Sequence, residues 1–329
     1  MSNQQILAPF DGWCGVLDEV PDPVFAGRML GDGLAVDPTS GILIAPCAGE
    51  IITLPASAHA VSIRTAQGID VLIHVGIDTV QLGGRGFEAR VRPGAIVRAG
   101  DELIRFDLDV VARGAKSLMT PIVVTPMDGL SLQRRRAPGL VSAGELLFEI
   151  AGSAGAADTA TLTAPSRAPS PSDETAVGQT LIVTLRQGLH ARPAALLAQR
   201  AKSFRAQASL GAHGRCANAR SVVAIMALGV RQGDELFIEA SGADAAQSVA
   251  SLVAGIQEAL RMESAAGHGA ADSSRTASTL APTPSSAPGV LGGVIAVAGL
   301  AVGRATRIER REIAVTEKGA GPARESAEL

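Results

Sequence analysis

Apolar and polar positions change rhythm several times along these 329 residues. Up to about residue 151, short apolar runs are broken by glycine and proline, and none holds a helical period for long. An all-β unit, a sandwich or barrel, is expected there. From 177 to 263 the pattern mixes periods. Residues 179–185 (QTLIVTL) alternate and are β-branched, as a strand requires, whereas Pro193 followed by residues 194–204 predicts a helix with proline in its first turn. Residues 152–176 and 264–287 have no such pattern. They are dominated by Ala, Gly, Ser, Thr and Pro, cannot bury enough apolar surface to offset ordering, and are expected to be flexible linkers. The chain thus divides into segments 1–151, 177–263 and 288–329, the last an incomplete stub.

Repeats refine the first segment. The turn Pro-x-x-Gly recurs at Pro9–Gly12, Pro46–Gly49 and Pro126–Gly129, and Val97–Leu103 is echoed by Val141–Leu147 ahead of a strand each time. Such repetition fits related hairpins in a sandwich, and the turns supply backbone geometry without requiring function. Residues 59–74 (HAVSIRTAQGIDVLIH) form two alternating runs around a polar turn. With Ala66-Gln67 as a two-residue loop, Val61 faces Leu72 and His59 faces His74, which puts the two imidazoles on one face. Val71, Ile73 and Val75 then point the other way. A one-residue register error would break this geometry.

Composition excludes several classes. Hydrophobic residues make up 47%, so each full segment can bury a core. The formal net charge of -3, one Trp and no Tyr argue against nucleic acid as a partner. The run Arg134-Arg135-Arg136 is expected to be a solvated loop. Cys14, Cys47 and Cys216 have no metal-ligand spacing and no disulfide framework, as in a cytosolic protein with reduced thiols. The apolar run 290–302 is too short and glycine-rich to span a bilayer, and the N-terminus lacks a signal progression. A soluble, cytoplasmic protein is expected.

Candidate chemistry begins at His190, where strand gives way to helix in Gly188-Leu189-His190-Ala191-Arg192-Pro193. A helix start presents unpaired N–H groups and partial positive charge, so it favours an anion. A histidine there could carry a phosphoryl group with Arg192 stabilising it, or simply cap the helix. The segment resembles the active-site sequence of HPr, the histidine phosphocarrier of the bacterial phosphoenolpyruvate-dependent sugar phosphotransferase system. The resemblance runs from about Thr180 to Met262 and includes Asn218-Ala219-Arg220-Ser221 and Gly233-Asp234-Glu235-Leu236. It implies an α/β open-faced sandwich with His190 as carrier. Ser221 matches a serine that a regulatory kinase modifies in some bacteria, and is otherwise a plain N-cap.

A cross-strand His59/His74 pair can be structural, half of a zinc site without evident further ligands, or catalytic. Residues 74–82 (HVGIDTVQL) closely resemble the active site of glucose-class enzyme IIA of the same system. Matching pieces follow in order at Asp22-Pro23-Val24-Phe25-Ala26, Gly31-Asp32-Gly33, Ser57-Ala58-His59-Ala60 and Phe106-Asp107-Leu108. The resemblance implies that His74 is phosphorylated, that His59 is its partner and that Ser57 is linked to His59. It also puts Asp22, Phe25, Leu72 and Asp78 at the docking surface, the two acids being suited to Arg192. Either Asp could instead cap a turn. Phe25 is the clearest aromatic there, since other family aromatics are replaced by Pro55 and Leu72.

Residues 289–308 followed by Glu309-Arg310-Arg311-Glu312 resemble the opening of enzyme I, with Val297-Ala298-Gly299 in place of the family's Ser-Pro-Gly. The order IIA, HPr, enzyme I resembles fused multiphosphoryl transfer proteins, here truncated, and enzyme I activity is expected only in a parent with that enzyme complete. The implied function is a phosphoryl relay from enzyme I through His190 and His74 to a membrane enzyme IIB/IIC permease. No cofactor or metal is required, phosphoenolpyruvate being the upstream donor. The alternative is a regulatory binding module whose phosphorylation state controls permeases or kinases. A lipoyl-like carrier lacks the necessary hairpin-tip lysine.

Overall fold

A computed structural model describes residues 3–125, 129–152 and 176–269, all within one compact unit. The segment 288–329, expected to be an incomplete stub, nearly all of the first expected linker, most of the second, and the turn residues 126–128 lie outside the described residues.

The N-terminal part is β-rich, with three antiparallel sheets. The largest has eight strands in the order Gly139–Val141, Gly12–Val16, Asp32–Pro38, Thr120–Val124, Asp70–His74, Ala60–Arg64, Gly49–Thr53, Ile96–Val97. Strands Gln4–Leu7, Leu146–Ala151 and Ser131–Gln133 make a second sheet, and Ile42–Ile44, Glu102–Phe106 and Phe87–Ala89 a third. All three are open, so the barrel alternative is corrected. The central strands Asp70–His74 and Thr120–Val124 are buried along their whole length, as Val- and Ile-rich strands covered on both faces must be. One apolar layer gathers Val61, Ile63, Val71, Ile73 and Val75 with Phe10, Phe106 and Phe148.

The expected hairpin exists, but its register is shifted by one. Ala60 faces His74 and Val61 faces Ile73, rather than His59 facing His74 and Val61 facing Leu72. The cause is the turn. Gly68 takes φ 78°, and Thr65 N–H donates to Ile69 O at 2.9 Å. The loop is therefore three residues with glycine in the left-handed position. Arg64 and Asp70 close it through bonds of 2.7 and 2.8 Å. The shift moves Val61 to the face opposite His74.

The arginine run 134–136 is a largely exposed loop, as expected, and its side chains are paired: Arg134 with Glu149, Arg135 with Asp32 and Arg136 with Glu145. Local capping explains the short helices that the apolar pattern did not reveal. Asp22 accepts the Val24 N–H at 2.8 Å to start Pro23–Ala26, and Asp107 accepts that of Val110 at 3.0 Å to start Leu108–Gly114.

Beyond residue 176 an open-faced α/β sandwich follows. Its antiparallel strands run Val177–Ile182, Glu235–Ser241, Gln207–Ala212, Arg215–Asn218. Along Glu235–Ser241, Leu236, Ile238 and Ala240 are buried while Phe237 is exposed, so one sheet face is covered by helices and the other is open. The covering helices are Ala191–Lys202, Val222–Ala227 and Ala245–Gly269. The last runs past residue 263 into the stretch assigned to the second linker. Its continuation is alanine-rich, which favours helix, and the Ser264 hydroxyl donates to Leu260 O at 2.8 Å.

Candidate active site at the junction of the two domains

His74 ends the central strand Asp70–His74 and is 5% exposed. Its Nδ1 lies 2.7 Å from the carbonyl oxygen of Gly76. A carbonyl only accepts, so Nδ1 carries the hydrogen and Nε2 keeps the lone pair. That return contact needs a sharp turn, and Gly76 supplies it at φ 64°. A Cβ there would lie 2.8 Å from the Ser117 carbonyl oxygen.

His59 reaches His74 by a route other than cross-strand pairing. Its backbone oxygen accepts from Val75 N–H at 2.8 Å, the position that regular pairing dictates. The strand begins only at Ala60, and Ala58 takes a left-handed φ of 49°. The His59 ring nevertheless sits 5.0 Å from that of His74, edge to face. Ser57 Oγ is hydrogen-bonded to His59 Nδ1 at 2.6 Å. On the other side Phe25 meets His74 edge-on at 5.4 Å.

The α/β domain contributes His190, N-cap of the helix Ala191–Lys202 with extended backbone and no side-chain capping bond. The helix starts at Ala191 and carries Pro193 in its first turn, as the sequence predicts. His59, His74 and His190 line one cleft of about 640 Å³ between the domains. Burial pushes all three rings below the ordinary histidine value. His190 falls to about 3, with Arg192 and His74 adding to the effect. His59 is lowered well below the usual range by burial, then by the two other histidines. His74 is lowered by burial, against the opposing pull of the Gly76 carbonyl and Asp22. All three imidazoles are neutral at pH 7, the state in which a ring nitrogen can attack.

Arg192 ties the domains together. Its Nε donates to Asp22 Oδ2 at 2.7 Å, and its Nη2 contacts Asp22 Oδ2 at 2.6 Å and Asp78 Oδ1 at 2.5 Å. Burial alone would lower the guanidinium's pKa, but the two carboxylates outweigh it and hold it raised. Asp78 reaches Arg192 from a left-handed backbone at φ 63°. Phe25 and Leu72 are buried with Leu189, Ala191 and Ala194 in one apolar cluster that crosses the junction.

Ser221 is not part of this cleft. Its hydroxyl accepts the Ala224 N–H at 3.2 Å, an N-cap, and it lines a separate cleft of about 860 Å³ with Arg28, Arg135, Lys202 and Arg220. Sequence reasoning missed Gly76, Thr79 and Thr120, which pin the His74 turn. Only Gly76 carried a signal, a glycine two residues after a strand-ending histidine. No group of three or more His, Cys, Asp or Glu side chains that could hold a metal ion occurs among the described residues.

A β-rich domain and an open-faced α/β domain, each presenting a neutral histidine to a shared cleft, define a two-domain histidine carrier. Residues 4–130 match the family described as phosphoenolpyruvate-dependent sugar phosphotransferase system, EIIA 1, and residues 177–258 match PTS HPr component phosphorylation site. The PTS system glucose-specific EIIA component of Bacillus cereus is 50% identical over 127 residues, 39% of this chain and 77% of that protein. Among solved structures, the glucose permease IIA from Mycoplasma capricolum is 41% identical, with TM-score 0.44, over 45% of this chain and 96% of its own. The phosphocarrier protein HPr from Bacillus anthracis is 36% identical, with TM-score 0.24, over 24% of this chain and 95% of its own.

The chain belongs to the glucose-class EIIA family of the sugar phosphotransferase system and carries an HPr domain in the same polypeptide. It is a phosphoryl relay with phosphotransferase activity, and its transfer partners are those of that system, such as membrane permeases. No helix among the described residues is long and apolar enough to cross a membrane.

Proposed function

We propose that His190 receives the phosphoryl group from enzyme I and passes it directly to His74 of the same chain. His74 then delivers it to a membrane enzyme IIB/IIC permease for sugar uptake. The observation that carries this reading is the shared cleft, lined by both neutral histidines, with Arg192 bridging Asp22 and Asp78 across the same domain junction. With Nδ1 engaged by Gly76, His74 attacks through Nε2. As the Nε2–P bond forms, the P–N bond to His190 breaks and its electron pair returns to the His190 ring. No proton has to leave His74 during the step. Positive charge develops on the attacking imidazole, and the Gly76 carbonyl stabilises it. Phosphoryl transfer needs little covalent help from the protein, so positioning and electrostatics carry the rate.

His59 is the residue that donates to the phosphoryl oxygens, with Ser57 orienting its ring. Arg192 neutralises two carboxylates that would otherwise repel an incoming dianion. No metal enters the scheme, and the protein acts in the cytoplasm, where the donor is made. The test is to incubate the chain with phosphoenolpyruvate and separately added enzyme I, quench at intervals, and map phosphohistidine by mass spectrometry. Phosphate should occupy His190 first and His74 second. Phosphate at His74 before His190, or on His59, would refute the order.

A further inference from the structure

The His74 turn is held from a strand far along the chain. Gly76 N–H donates to Thr120 Oγ1 at 3.1 Å, and the same hydroxyl donates to Leu118 O at 2.9 Å. The next peptide is pinned separately, since Ile77 N–H donates to Ser117 O at 2.8 Å. Thr120 is fully buried, out of reach of bulk solvent. Its hydroxyl can rotate, but the bond to Leu118 commits its hydrogen there and leaves an oxygen lone pair facing Gly76.

We propose that Thr120 is a positioning residue for phosphoryl transfer, acting through the Gly76 peptide to hold His74 in its Nδ1–H tautomer. The proposal rests on the reading of His74 as phosphoryl acceptor. The reasoning is geometric. Glycine is the least restrained link between two peptide planes, so aiming the Gly76 carbonyl at Nδ1 requires both flanking peptides to be held. Ser117 holds one and Thr120 the other. In the opposite tautomer the Nδ1 lone pair would face the carbonyl lone pairs, and the Nε2 hydrogen would block the incoming phosphorus. Removing the hydroxyl leaves a buried N–H without an acceptor and frees the turn to move.

The test uses the full chain with nitrogen-15-labelled histidine. The wild type should show His74 as Nδ1–H by imidazole nitrogen shifts, and its phosphorylated form should carry phosphate on Nε2. Thr120→Val should give a tautomer mixture and slow transfer to His74 roughly tenfold, the size of effect expected when one buried hydrogen bond is lost. Thr120→Ser should restore both readouts. Thr120→Ala, which cannot clash, carries the same measurement if the valine variant fails to fold. Thr53→Val removes another buried hydroxyl of the same sheet, one that donates to Ser62 Oγ at 2.8 Å, and should leave the tautomer unchanged. A folded Thr120→Val or Thr120→Ala chain with a pure Nδ1–H tautomer would overturn the proposal, even if transfer were slowed. If phosphate were found elsewhere than on His74, the relay reading would fall, while the tautomer series would still decide what Thr120 holds.

Discussion

Arg192 offers the sharpest test of how the two domains meet. Replacing it with alanine removes three contacts of 2.5 to 2.7 Å and strands Asp22, which is 3% exposed. Breaking a deeply buried ion pair typically costs about 3–5 kcal/mol, whereas exposed pairs contribute about 1 kcal/mol or less. Arg192 is 37% exposed and Asp78 22%, so solvent screening discounts the deep-pair figure. A loss of about 2 kcal/mol in docking follows, roughly 30-fold in the equilibrium. The assay is a quench-flow single turnover from His190 to His74, run as double-mutant cycles with Asp22→Asn and Asp78→Asn. Asparagine at 22 still caps the Pro23–Ala26 helix, so the cycle isolates the ion pair. Transfer should slow in both directions while thermal stability changes little, because the bonds lost run between the domains, to Asp22 and Asp78, rather than within either one. Strictly additive effects, with coupling below about 0.3 kcal/mol, would refute the reasoning.

His74→Ala should abolish stable phosphorylation of the EIIA domain, whereas His59→Gln should still accept phosphate but pass it on poorly; mass spectrometry and a chase with acceptor separate the two. Transfer should be mainly intramolecular, because joining domains through a stretch such as residues 152–176 typically gives an effective concentration on the order of a millimolar. Mixing His190-loaded His74→Ala chain with excess His190→Ala chain at low micromolar concentration should therefore be much slower than the intact protein, and equal rates would contradict the idea. Docking should weaken as pH falls below 6.5. The docked His190 has its pKa held at about 3, so an opened state that restores the ordinary value binds more protons between those limits. The slope is up to about 1.4 kcal/mol per pH unit for each such histidine. Domain docking followed by fluorescence transfer from pH 7 to pH 5 checks this, and a flat profile would show that the histidine stays buried after opening.

Much of the site was legible because short-range chemistry leaves short-range marks. The run from Gly188 to Pro193 combines a turn glycine, a histidine and a helix-starting proline, and the structure makes that histidine an N-cap. The side of the strand on which His74 and Leu72 lie followed from alternation alone. The hairpin partner did not. A two-residue loop and a three-residue loop with glycine in the left-handed position are both compatible with Thr65-Ala66-Gln67-Gly68-Ile69, and they differ by one in register. The conclusion that His59 and His74 meet survives only because the chain leaves the regular pairing at Ala58.

What the amino-acid sequence determined by itself is therefore the kind of unit each segment forms and which histidines terminate its elements, since periodicity, turn residues and helix-start signals act within a few positions. Only the tertiary structure decided that His74 and His190 share a cleft, that one Arg192 guanidinium reaches both carboxylates the resemblance had suggested for it, and that Thr120 reaches the Gly76 peptide. These contacts depend on how sheets and domains pack. Packing is settled by the summed burial of many side chains and by bond directions in space, neither of which is written at any one position of the chain.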